Sequence, residues 1–139
     1  MKHPIRLTLL GLVILVAVVI GPTALRAFLT FGYEDAIHSD YFPVIAALDR
    51  YCADKGHAPG SLDALVPDYL EALPTLTKRI TDIQLRSSPL EPNWRLTLTS
   101  NATGTLRHYI AESGMPLNEQ EQSEVVLQYH DRWYVLEPE

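Results

Sequence analysis

Tyr41-Phe42-Pro43-Val44-Ile45-Ala46-Ala47-Leu48-Asp49-Arg50-Tyr51-Cys52-Ala53-Asp54-Lys55-Gly56-His57-Ala58-Pro59-Gly60-Ser61-Leu62-Asp63-Ala64-Leu65-Val66-Pro67, continuing to Pro74, reads as helix, stop, turn, short helix and stop, and the rest of the chain is built around it. Val44, Ile45, Leu48, Tyr51 and Cys52 recur at helical steps and share one face, while Asp49, Arg50, Asp54 and Lys55 fall largely on the other. The spacing therefore predicts a helix with a core side and a wet side. Ser39 or Asp40 is the expected cap, Pro43 is expected in the first turn, and Gly56 supplies the left-handed residue that ends the helix. Pro59 forces an extended step, Ser61 is the expected cap of a short helix from Leu62 to Val66, and Pro67 and Pro74 interrupt any longer helix beyond it.

Tyr51, Asp54, Gly56, Pro59, Ser61-Leu62, Leu65-Val66-Pro67 and Tyr69-Leu70 together resemble the segment after the spine helix in pseudopilins of type II secretion systems and related pilin-like proteins. There a helix runs into an Asp-x-Gly-x-x-Pro turn and a short Leu-rich helix. The resemblance covers roughly a quarter of the chain and implies a pilin-like α+β fold, a spine helix laid on a small antiparallel β-sheet. It also implies work as a subunit or accessory of a bacterial envelope or secretion assembly. The prepilin processing pattern is missing. Gly11 is followed by Leu12-Val13-Ile14-Leu15-Val16, with Val16 where the family has its acid.

Upstream, the 19 residues from Leu7 to Leu25 carry no charge. As a helix they reach about 28 Å, close to the roughly 30 Å hydrocarbon thickness of a bilayer. Lys2 and Arg6 precede them and Glu34, Asp35 and Asp40 come after, so the positive-inside bias places the amino terminus in the cytoplasm. The expected organisation is a transmembrane anchor over 1–32, kinked at Pro22, and an extracytoplasmic, periplasmic domain over 33–139. That makes a single-pass protein of the bacterial inner membrane, with the lipid bilayer and envelope proteins as its partners. Ala24-Leu25-Arg26-Ala27 lacks small residues three and one before a cut, with Arg26 in the way, which argues against signal-peptide cleavage.

All 17 acidic residues lie at or after Glu34, and the whole chain is −6. Such a surface repels phosphate and excludes nucleic-acid binding. Cys52 is single, so it has no intramolecular disulfide partner, and it reads as a small core residue.

Past Pro74 the period changes. Trp94, Leu96 and Leu98 alternate with Arg95, Thr97 and Thr99, the mark of a half-buried strand. Residues 100–104 supply turn chemistry and Thr105 to Ala111 return as a second strand, with Ile80 to Leu85 as a short edge strand. Residues 113–124 read as a solvated loop, and Val125 to Tyr129 with Trp133 to Leu136 as a last hairpin.

Chemistry is sparse. The five histidines include no pair at zincin spacing, and neither metal nor cofactor is expected. Ser61 lacks a nucleophile elbow, Asp63, Asp68 and Glu71 read as solvated surface, and Asn101-Ala102-Thr103 reads as a turn. The expected function is a non-enzymatic structural or interaction protein, with Trp133 and Tyr134 as candidate partner contacts if either is exposed. Two alternatives compete with it. One is a small extracytoplasmic metal-binding protein or enzyme using His38, Asp40, His57 or His130, and the other is a membrane-tethered inhibitor or immunity protein that draws a basic target.

Overall fold

The alternation of Trp94, Leu96 and Leu98 with polar residues builds a seven-residue strand, β2 (Trp94–Ser100), second from one edge of the one sheet among the described residues. The structure, a computed structural model, describes residues 4–102, 104–129 and 132–138, and for 4–20, 22, 23, 25–31 and 129 it describes the backbone alone. The chain divides into two compact units, 1–40 and 41–139. In the first, the described residues are helical and belong to α1 (Pro4–Lys55).

In the second unit, β1 (Asp82–Ser87), β2, β3 (Arg107–Ser113), β4 (Val125–Tyr129) and β5 (Trp133–Leu136) form one sheet in the order β1-β2-β3-β5-β4, every pair antiparallel. A five-residue helix, α2 (Glu119–Ser123), lies between β3 and β4. Because side chains alternate along a strand, the register assigns the two faces. Trp94, Leu96, Leu98, Tyr109, Ala111, Trp133 and Val135 share one face, and each is at most 2% exposed. Tyr41, Val44, Ile45, Leu48 and Cys52 form the buried stripe of α1 in this unit. Neither stripe can leave water alone, and a helix against a sheet is the arrangement that buries both. At the rim, Arg132 Nη2 donates to Asp49 Oδ2 at 2.7 Å and ties the β4–β5 turn to the helix.

α1 ends where the sequence says it should: Gly56 has φ 74° and donates its N–H to the Cys52 carbonyl at 2.9 Å. The segment after it is held by contacts to its own surroundings. Arg50 Nη2 donates to the Tyr69 carbonyl at 2.7 Å, and the Tyr51 ring lies 5.2 Å from Tyr69 and 5.8 Å from His57. Ala58 N–H donates to the Glu91 carbonyl at 2.9 Å, which fixes this turn against the β1–β2 connection.

Several expectations need correction. The α+β arrangement of a transmembrane helix running into a pilin-like spine is replaced by a mostly β unit, one five-stranded antiparallel sheet accompanied by a single long helix. Among the described residues no helix is long and apolar enough to cross a membrane. From residue 33 onward, where its side chains are described, α1 carries Glu34, Asp35, Asp40, Asp49, Arg50, Asp54 and Lys55, charges that a hydrocarbon layer does not accommodate. The single-pass inner-membrane location, the periplasmic placement and the secretion-system vocabulary attached to them are overturned with it. The run 7–25 and the kink expected at Pro22 lie where side chains are outside the described residues.

Two local expectations also fail. Ser39, Asp40 and Pro43 lie inside a continuous α1 rather than at its start, so no cap is needed there and Pro43 leaves the Ser39 carbonyl without its helical donor. Ser61 does precede a 3-10 turn at Leu62–Leu65, but its hydroxyl makes no capping bond and its carbonyl accepts from Ala64 N–H instead.

Candidate protein-interaction edge

Ser88 N–H donates to the Asn93 carbonyl at 3.0 Å, and this single bond sets the parity of the β1–β2 ladder. In an antiparallel pair, hydrogen-bonded and non-hydrogen-bonded couples alternate. Counting back from Ser88, the backbone groups of Arg86, Gln84 and Asp82 face β2, while those of Ile83, Leu85 and Ser87 face away from the sheet. Among the described residues β1 pairs with β2 alone, so its outer side presents one donor and one acceptor at each of these three residues.

The two sheet edges are unlike. β4 is interrupted by a register shift between Val125 and Leu127, with Val126 pushed out and 55% exposed. Such a bulge twists an edge and spoils it as a template. β1 is regular over all six residues, has no proline, and is succeeded three residues later by Leu90, which is 88% exposed. An open, regular edge is a ready surface for pairing with another strand.

The outer face beside this edge is polar. Gln84 and Arg86 from β1, Arg95 and Thr97 from β2, and His108 from β3 line a groove of about 260 Å³. Arg95 is 9% exposed and is fully engaged: its Nη1 donates to both carboxylate oxygens of Glu121 at 2.8 and 3.0 Å, its Nε donates to the Met115 carbonyl at 3.2 Å, and Nη2 reaches the Met115 and Pro116 carbonyls. This fixes the segment expected to be a solvated loop. Asn118 Oδ1 accepts from Glu121 N–H at 2.9 Å, while Glu121 Oε2 accepts from Asn118 N–H at 2.8 Å, a reciprocal capping box that starts α2. Leu117 sits 8% exposed in a second small core with Ile110 and Leu136, flanked by Val125 and Tyr134. Gly114 has φ 71°, and a Cβ there would overlap the Asn93 side chain, so only glycine makes this crossing.

Of the residues singled out in the sequence, Trp133 is 2% exposed with its ring 6.1 Å from Tyr109, and so belongs to the core. Tyr134 is half-buried on the opposite face and lines a separate groove of about 320 Å³ with Pro116 and Gln128. His38 and Asp40 lie on α1 in unit 1–40, whereas His57 lies in unit 41–139, where its Nδ1 donates to the Ala58 carbonyl at 2.9 Å. His108 Nδ1 is 3.2 Å from Thr99 Oγ1 across the β2–β3 ladder. His130 and Asp131 are outside the described residues, as is Thr103 of the 101–103 triplet. Among the described residues, no three His, Cys, Asp or Glu side chains gather as a metal site requires.

Cys52 is buried, and burial first, then the Asp49 carboxylate one turn away, pushes its thiol pKa up. The thiolate is the nucleophile, so Cys52 is expected to react with a disulfide reagent at pH 8 far more slowly than a free thiol, and at the free-thiol rate once guanidinium unfolds the chain. Stopped-flow absorbance reads both rates, and fast labelling of the folded chain would contradict the burial.

β1 occupies the sheet edge expected of Ile80 to Leu85 and runs on to Arg86 and Ser87, which the sequence reading left out. Arg86 stands directly opposite Arg95, and the alternation that put Leu96 inside puts both arginines outside. Comparison of the chain with protein-family models, with curated proteins and with solved structures found no match.

Proposed function

We propose that this chain is a non-enzymatic interaction protein, and that β1 works by accepting an extended strand from a partner. The observation that carries the reading is the contrast between edges: among the described residues β1 is regular and unpaired on its outer side, while β4 is bulged. Pairing of this kind draws affinity from main-chain hydrogen bonds and specificity from alternate side chains. The resemblance of Tyr51 to Leu70 to pseudopilins, which work as subunits of larger assemblies, supports a role through protein contact and gives no reason to look for catalysis.

Amide hydrogen exchange on the full-length, isotope-labelled chain tests the proposal. In the free protein the Ile83, Leu85 and Ser87 amides should exchange fast. Adding a blocked eight-residue peptide of alternating valine and threonine should slow these three and leave Gln84 and Arg86, already bonded to β2, unchanged. If all three stay fast at millimolar peptide, β1 does not accept strands.

A further inference from the structure

We infer that the strand received at β1 is an acidic one, with carboxylate side chains alternating with apolar ones; this rests on the reading of β1 as a strand acceptor. The chain as a whole carries −6, yet Lys78 and Arg79 just before β1 join Arg86 within it, against Asp82 in the strand and Glu91 beyond it. Asp82 is already engaged, since its Oδ2 accepts from Gln84 Nε2 at 2.7 Å. The strip from Lys78 to Arg86 thus carries a positive surplus on an acidic protein.

Within the strip, Arg86 is the distinctive residue. Across the sheet and its turns, Arg95, Arg107 and Arg132 each end on a carboxylate, Glu121 at 2.8 Å, Glu137 at 2.6 Å and Asp49 at 2.7 Å. Arg86 ends on none among the described residues, and it stands directly opposite Arg95 on the same face. Like charges at that spacing repel. Glu121 neutralises Arg95 and leaves Arg86 as surplus charge, on an exposed side chain at the lip of the 260 Å³ groove. The one other acid on that groove, Glu124, lies on its α2 side, where Gln120 Nε2 donates to its Oε1 at 3.0 Å.

A strand laid against β1 continues the pleat. Every second side chain then falls on the outer face, one of them about 5 Å from Arg86, and an Asp or Glu there completes the pair that Arg86 lacks. The intervening side chains fall beside Ile83 and Leu85, which are half-buried on the helix side of the sheet, and burial there favours apolar residues. The partner segment is thus extended, amphipathic and negatively charged. The sign of charge also speeds its arrival, because opposite potentials steer encounter.

Three blocked eight-residue peptides, valine alternating with glutamate, threonine or lysine, are titrated against the full-length chain at low salt, with affinity and amide exchange read together. The glutamate peptide should bind about fivefold more tightly than the threonine peptide, the worth of one good cross-strand charge pair. The lysine peptide should bind most weakly. Arg86→Gln should erase the preference and Arg86→Glu should invert it, both with an unchanged thermal midpoint because Arg86 is exposed. Salt should narrow the gap. Equal binding of the glutamate and threonine peptides, with Ile83, Leu85 and Ser87 protected by both, overturns the acidic partner and leaves strand acceptance standing. No protection by any peptide overturns strand acceptance itself. Glutamate-peptide binding that leaves these amides fast reduces the strip to a charged surface and overturns the inference. Protection without peptide, at twice the monomer mass, makes a second copy the occupant and overturns it as well.

Discussion

Trp94→Ala is expected to lower the unfolding free energy by about 4 kcal/mol, the upper part of the range for deleting a large core side chain. Trp94 is 0% exposed and opens β2, on the face that also carries Leu96 and Leu98, with the Arg132 guanidinium 5.7 Å from its ring centroid. Truncation removes a large apolar area and leaves a cavity that strands locked into a ladder on both sides cannot collapse to fill. A domain of this size holds about 5 to 15 kcal/mol in total, so the variant should sit near the edge of folding. Chemical denaturation measures the loss. Leu90→Ala is the control, since Leu90 is 88% exposed and its removal should change stability by less than about 0.5 kcal/mol. Comparable losses for the two would contradict the assigned core.

Arg95→Ala, one residue along and on the other face, should cost about 3 kcal/mol for a different reason. Its guanidinium is nearly enclosed and joins the Met115 and Pro116 carbonyls to Glu121. Alanine leaves those carbonyls without donors and Glu121 without its counter-charge, and removing one partner of a mostly buried pair costs more than the pair itself contributes. Glu121 is 23% exposed, which places the expectation at the low end of the range. The loss should be regional. Limited proteolysis should cut within 113–124 in Arg95→Ala before the rest of the unit yields, whereas Trp94→Ala should unfold the whole sheet together. A variant that resists cleavage there and keeps its denaturation midpoint would show that the 113–124 segment is held without Arg95.

These two neighbours also mark how far the sequence could be read. Trp94 was legible because period-two alternation with large apolar residues has one reading, and the same signal located the 94–111 and 125–136 hairpins. Arg95 was not, since alternation says only that it faces away from the main core. What it meets there, a capped helix of five polar residues, has no apolar period of its own. The Asn118 to Glu121 spacing of a capping box was present, and Leu117 just before it was the one apolar clue to a second small core. Ser39, Asp40 and Pro43 misled for the opposite reason: they are good start signals in isolation, and a helix already running through them overrides their preference. The anchor reading weighed the length of an uncharged run, the charges flanking it and the lack of a cleavage site, and none of these reports on the acidic helix that continues from Glu34. An edge strand was legible at Ile80 to Leu85, but which of its backbone groups face outward depends on the ladder, and no single strand's sequence contains that parity.

The bulge in β4 has a bearing on stoichiometry. A sheet with two good margins is a monomer unit for endless growth, each copy docking on the last. Here one margin is regular and the other is crimped between Val125 and Leu127, which disfavours pairing there. If β1 accepts a strand as proposed, the expected stoichiometry is one guest per chain, with edge-stacked growth disfavoured.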